Sequence, residues 1–284
     1  MSDGEDEGEK PYSNKITELG GHMASIKKFP QVAIPNELRH LERAIVNDSN
    51  KDINRSFTHL NYRLSPKRSF IFDPKTKSCR EMTDYEYYKA RKNELYCYRR
   101  ADVKTMAGWV ITAPGNLAKE DERAFFASVY RFLVRLYGAE NVVSCWVHYD
   151  EGRREKIITW EGPVYDENGN VKTRVVPGRP HLHFYFIPVV PDRRHKEGEK
   201  ICANDLITKS HLQRFHGDLE AHLRSEGIYC SVRSGITHEQ GRNYSVAELK
   251  RQHGLNSGFM SSPEPGHNYT FESENEFING GFLC

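Results

Sequence analysis

The chain has 284 residues, 41 Lys and Arg against 39 Asp and Glu, 13 histidines and six cysteines. That length buries a full core as one large domain or two small ones, and no apolar run approaches the roughly 20 residues that cross a bilayer. The acidic N-terminus does not read as a signal peptide, and the unpaired spacing of Cys79, Cys97, Cys145, Cys202, Cys230 and Cys284 argues against a cysteine zinc site and for a reducing compartment, read as the cytoplasm.

Residues 1–20 are polar and Glu-rich and read as a disordered acidic tail. The first ten carry five acids and one lysine, a net of −4, which leaves +6 for the rest of the chain and is compatible with a nucleic-acid partner. A first strand is expected over 22–29, broken by Pro30 and Pro35, then a short helix over 36–45 containing Arg39-His40-Leu41-Glu42-Arg43. Residues 48–55 are turn formers, and 58–64 alternate like a strand. A tyrosine-rich helix is expected over 83–99, followed by the basic loop Arg99-Arg100-Ala101-Asp102 and a strand over 106–112. Residues 119–137 form an amphipathic helix with Phe125, Val129, Phe132, Leu133 and Leu136 on one stripe and Gly138 as its stop.

The next strand, Ser144-Cys145-Trp146-Val147-His148, ends in Tyr149-Asp150-Glu151. Residues 152–179 then read as a hairpin, because β-prone runs flank Asp166-Glu167-Asn168-Gly169-Asn170. The chain returns through a strand that carries Pro180-His181-Leu182-His183 and stops at Pro188. A second amphipathic helix spans 210–224 with Leu212, Phe215, Leu219 and Leu223 on one face; His211, His216 and His222 are read as solvated. A capping box at Ser245 opens a short helix over 246–252, and 256–284 read as a flexible tail. A large domain over 21–255, carrying 152–179 as a hairpin insertion, is the expected organisation.

Strand alternation puts His181 and His183 on one side. Alone, such a pair is more often two polar residues on an open sheet face. An antiparallel neighbour across the hairpin brings His148 beside them. Three imidazoles with open coordination positions describe a catalytic divalent-metal site.

Arg39-His40-Leu41-Glu42-Arg43, Ser49-Asn50-Lys51-Asp52-Ile53-Asn54 and His59-Leu60-Asn61-Tyr62 together resemble the first motif of the Pre/Mob plasmid-mobilisation relaxases, the MobV class of the HUH endonuclease superfamily. His148-x-Asp150-Glu151 and Pro180-His181-x-His183 resemble their third motif, and the likeness covers about residues 20–255. The resemblance implies an α/β (α+β) fold with a central antiparallel sheet flanked by helices. It implies a metal-dependent nickase that cuts one strand of plasmid DNA at an origin of transfer and stays on the 5′ end, with a coupling protein as a further partner. It places His148, His181 and His183 at the metal, His40 at the nucleophile and Glu151 at the motif's carboxylate. The ion is read as Mn or Mg, although imidazole ligands suit other metals too. Arg43, Lys51, Arg99 and Arg100 are expected to contact DNA phosphates. Two departures stand out: Gly152 to Arg179 are inserted between the motif's Glu and Pro, and Ala107-Gly108 stand where relatives can carry an acid. The alternatives are a replication initiator using a tyrosine such as Tyr88 or Tyr62, a non-catalytic origin-binding protein, and an unrelated metallohydrolase.

Overall fold

The computed structural model describes residues 23–44 and 53–232. The 1–20 tail, Lys51, the expected helix over 246–252 and the 256–284 tail lie outside the described residues.

In chain order the strands and helices are β1 (Ala24–Pro30), α1 (Ile34–Leu41), β2 (Tyr62–Arg63), β3 (Phe70–Asp73), β4 (Ser78–Glu81), α2 (Asp84–Asn93), β5 (Lys104–Thr112), α3 (Glu122–Tyr137), β6 (Val142–His148), β7 (Gly152–Lys156), β8 (Ile158–Thr159), β9 (Gly162–Pro163), β10 (Thr173–Pro177), β11 (His181–Phe186), β12 (Val189–Pro191), β13 (Glu199–Ile201), α4 (Ala203–Leu206) and α5 (Lys209–Ser225). Five of the strands form one antiparallel sheet in the order β1-β5-β11-β6-β2. β11 is central and buried at every position, which is why its sequence is apolar or aromatic on both faces. β1 lies at an edge and largely alternates exposed and half-buried residues.

Each face has its own core. On one, α3 and α5 pack Phe125, Phe132, Leu133, Phe215 and Leu219 against Trp109, Val147, Leu182 and Phe184. On the other, Ile34, Leu38 and Leu41 of α1 and Tyr88 of α2 cover Met106, Val143, Tyr185 and Ile187. A fully buried side chain of this kind contributes about 1.5–3 kcal/mol. Helix ends follow local chemistry: Thr83 and Glu86 form a capping box at α2, and Gly138 takes φ 84° to end α3.

Two readings of the sequence are corrected. Residues 58–64 are not a strand: Arg55–Leu60 winds as a 3-10 helix, started by the Asn54 side chain accepting from Ser56 N, and only Tyr62–Arg63 pairs in the sheet. His222 is not solvated; it is buried against Ser128 of α3, while His211 meets the Tyr137 hydroxyl and His216 the Val232 carbonyl. Leu212, expected on the apolar face of α5, is 38 % exposed. Among the described residues, no helix is long and apolar enough to cross a membrane.

Candidate metal centre and nucleophile

β11 and β6 pair with His181 opposite His148 and His183 opposite Trp146. Strand alternation therefore turns His148, His181 and His183 to the same face, the one that carries α1, and their ring centroids lie 4.7–5.8 Å apart. Glu151, three residues past His148, turns back to them: its carboxylate is 3.4 Å from His181 Nε2 and 3.7 Å from His148 Nδ1. One donor atom from each of these four residues falls within 4.8 Å of the others.

The group fits a metal ion on two grounds. His183 is buried and neither ring nitrogen has a hydrogen-bond partner, which is costly for a polar group unless something else meets it. Two of the imidazoles also favour the neutral form: burial lowers the pKa of His148, and burial with the neighbouring histidines lowers that of His183 well below the usual range. Burial alone would raise the Glu151 pKa, but the interactions with His148 and His181 outweigh it and keep the carboxylate ionised. His148 Nε2 donates to the Leu41 carbonyl at 2.9 Å, which aims Nδ1 into the cluster.

α1 delivers the remaining groups. Its last residues bring His40 to the rim, with Nε2 3.8 Å from Glu151 Oε1. Arg43 follows at φ 56°, the left-handed conformation that normally calls for glycine after a helix. That turn sends the guanidinium inward, where it donates to both Asp150 oxygens, to Glu151 Oε1 at 2.8 Å and to His148 Nδ1 at 2.9 Å. Nη1 stands 3.4 Å from His40 Nε2. Asp150 is fully buried; burial would raise its pKa, and the Arg43 bonds reverse this and lower it, with Thr58 Oγ1 as a further donor at 2.8 Å.

The structure thus gathers His40, Arg43, His148, Glu151, His181 and His183. It does not gather Arg99 and Arg100. They precede β5, whose far end, at Val110 and Thr112, pairs with His183 and His181. At about 3.3 Å per residue this is roughly 20 Å of strand, and Arg100 faces Asp102 at 3.4 Å.

Two neighbours escaped the sequence reading. Glu37, one turn before His40, accepts a hydrogen bond from the Tyr185 hydroxyl at 3.2 Å, and both line a cavity of about 240 Å³ with His40 and His183. Tyr185 was readable, being two residues past His183 on the same face. Gly108 makes room for it, since a Cβ there would stand 2.4 Å from the Tyr185 ring. At Gly108, where the resemblance led to the expectation of an acid, β5 has none, while a carboxylate from α1, Glu37, lines the pocket.

Comparison with known proteins agrees with this architecture. The family model described as "Plasmid recombination enzyme" (Mob_Pre) matches residues 21–251. A plasmid recombination enzyme of Streptococcus agalactiae is 23 % identical over 234 residues, covering 81 % of this chain and 38 % of the relative. One of Lactiplantibacillus plantarum is 27 % identical over 236 residues, covering 80 % and 52 %. The chain therefore spans about half or less of these relatives' lengths. Among solved structures, the Mn-bound MobM relaxase domain in complex with plasmid pMV158 oriT DNA superposes with a TM-score of 0.54 at 22 % identity, covering 81 % of this chain and 97 % of that one.

Proposed function

Since the chain belongs to the plasmid recombination enzyme (Mob_Pre) family, we propose that it is a relaxase: it nicks one strand of plasmid DNA at an origin of transfer by transesterification, with His40 as nucleophile. The observation that supports this best is the approach of His40 Nε2 to Glu151, a residue shared with the three-histidine cluster. His148, His181 and His183, with Glu151 beside them, would hold a divalent ion such as the Mn found in the MobM domain. When bound, that ion would polarise the non-bridging oxygens of the scissile phosphate.

The chain's own groups account for the rest. Arg43 Nη1 can only donate to His40 Nε2, which favours the tautomer with the proton on Nδ1, and this long 3.4 Å contact must yield for the Nε2 lone pair to reach phosphorus. The Nε2 lone pair forms the N–P bond, the P–O3′ bond breaks, the leaving oxygen takes up a proton from solvent, and Nδ1 gives up its own proton to solvent. The product is a phosphoramidate on the 5′ phosphate and a free 3′ hydroxyl. Arg43 and Glu151 fix the imidazole in place, which is the positioning an in-line attack needs. Glu37 supplies a second carboxylate beside His40, in the role left open at Gly108.

The tyrosine alternative loses support from burial. Tyr88 is fully buried with its hydroxyl on Thr105 Oγ1, and burial pushes its pKa to about 12. Tyr62 packs with the core on the opposite face of the sheet.

The test is incubation of the protein and Mn²⁺ with supercoiled plasmid carrying a candidate origin. Relaxed circles with protein on the 5′ end are expected. Binding without nicking would leave a non-catalytic origin-binding protein, and hydrolysis of small phosphoesters without an adduct would point to a metallohydrolase.

A further inference from the structure

The insertion over 152–179 grows directly out of the metal centre. β7 and β10 pair Gly152 with Pro177 and Lys156 with Thr173. Three residues separate His148 from Gly152 and three separate Pro177 from His181, so the arm continues the register of the β6–β11 ribbon without a shift. Its root is Glu151, whose carbonyl accepts from Gly178 N at 3.1 Å; a Cβ on Gly178 would come within 2.2 Å of that oxygen, so the close approach requires glycine. An arm so joined to a carboxylate of the metal cluster has a fixed direction relative to it.

Five strand pairs at about 3.3 Å each extend the arm by about 17 Å, the length of roughly five nucleotides of one strand. Its end is a small second hairpin, β8–β9, with Trp160 and Glu161 as the two turn residues. Trp160 is 92 % exposed, and Ile158 beside it is 67 % exposed. On the two long strands Lys156 and Arg174 are exposed, and Arg174 lies 3.9 Å from the one acid there, Glu155.

We infer that this arm holds single-stranded DNA running from the metal centre, with Trp160 stacking on an unpaired base and the exposed Lys156 and Arg174 as contacts to its phosphates. The inference rests on the DNA reading given above. Two arguments favour nucleic acid over a protein partner. Two exposed rings, Trp160 and Tyr165, with one aliphatic neighbour, Ile158, stay below the several hundred Å² of apolar surface that marks a docking patch, yet one ring is all a base needs. Interleaved cations and an exposed aromatic on an extended element also match the stacking platforms that take single strands without sequence preference.

The experiment measures binding of a mixed-sequence single strand of about 20 nucleotides, longer than the roughly 4–16 that such a platform covers. Anisotropy and tryptophan emission are followed together in wild type, Trp160→Ala and Trp160→Phe. Because Trp160 buries almost nothing, neither variant removes packing. Trp109 is buried and Trp146 half-buried, so Trp160 is the most exposed of the three tryptophans, and the signal lost in the variants is its own. Expected are quenching on DNA addition that vanishes in both variants, an affinity loss on the order of 10-fold in Trp160→Ala, and near-native affinity in Trp160→Phe, whose ring still stacks. Native affinity in Trp160→Ala with unchanged wild-type emission overturns the arm's role and leaves the relaxase reading standing. Failure of wild type to bind any DNA overturns that reading as well. Quenching that follows protein concentration without DNA would put a second copy of the chain on the arm and overturn the DNA assignment.

Discussion

Nη2 of Arg43 lies 2.9 Å from Nδ1 of His148, the ring nitrogen that faces the metal cluster. The same guanidinium neutralises Asp150, which is fully buried, so Arg43 ties helix α1 to the end of strand β6. Removing one partner of a buried pair costs about 3–5 kcal/mol, because the other charge is left desolvated. Arg43→Ala is therefore expected to lose about 3 kcal/mol in urea unfolding. The left-handed backbone at this position costs a non-glycine residue about 1–2 kcal/mol, so Arg43→Gly should be more stable than Arg43→Ala by about 1 kcal/mol. Equal stability of the two variants would show that the left-handed turn is not retained without the ion pair.

The sequence carried most of this site, for reasons that can be named. Alternation along β11 fixed the face shared by His181, His183 and Tyr185, and the hairpin signal in 152–179 was enough to set His148 opposite His181. What it hid was tertiary. Residues 58–64 alternate as a strand would, but Thr58 is drawn to Asp150 and Asn54 caps Ser56, so the segment coils instead. His222 lies on the polar side of the α5 pattern, and only the packing of α3 against α5 reveals Ser128 waiting for it. Arginine has no preference for a left-handed turn, so nothing local in residues 39–43 foretold that Arg43 would swing inward.

His183 should behave as a ligand and not as a structural hydrogen-bonding residue. Neither of its nitrogens has a partner, so His183→Ala gives up no hydrogen bond in the metal-free protein. Metal bound only to the folded state stabilises it by about 2.7 kcal/mol at 100 times the dissociation constant. Melting with Mn²⁺ and again with EDTA should show a clear difference in wild type and almost none in His183→Ala. A variant that keeps the full Mn²⁺-dependent shift would place the ion elsewhere.

Glu42, between Leu41 and Arg43, gives a pH dependence of a group that is not itself one of the four donors. Burial, then the nearby Asp84, raise its pKa from 4.5 to about 7, and Asp84 Oδ2 is buried without a hydrogen-bond partner. In the folded protein Glu42 holds a proton that the unfolded chain releases above about pH 4.5. Its contribution is therefore complete below that pH and is lost as pH rises through about 7. Glu42→Gln keeps a neutral donor toward Asp84. It should exceed wild type by about 1 kcal/mol near pH 8, less than the full shift implies because the group is only half-buried and solvent screens it. Near pH 5 the two proteins should be equal. A wild-type advantage at pH 8 would mean that Glu42 is ionised and paired, with Arg63 the nearby cation.

His40 decides the mechanism. Its side chain is 30 % exposed and it is not among the four donors of the cluster, so alanine there should cost little stability and leave Mn²⁺ binding intact. Removing the imbalance of charge is not at issue, since Arg43 remains held by Asp150 and Glu151. What alanine removes is the only atom proposed to attack phosphorus. His40→Ala should bind origin DNA with nearly native affinity, and should neither nick nor form adduct, a loss of at least about 10³-fold if nucleophilic attack is the step abolished. The adduct itself carries a second signature. A phosphoramidate is cleaved in acid and survives at neutral or alkaline pH, whereas a phosphotyrosine survives acid. Mass spectrometry of the nicked complex kept near pH 8 should find DNA on the peptide containing His40, and brief acid treatment should release it. An acid-stable adduct on a peptide from α2, with its Tyr85, Tyr87 and Tyr88, would replace His40 with a tyrosine nucleophile and require that helix to open.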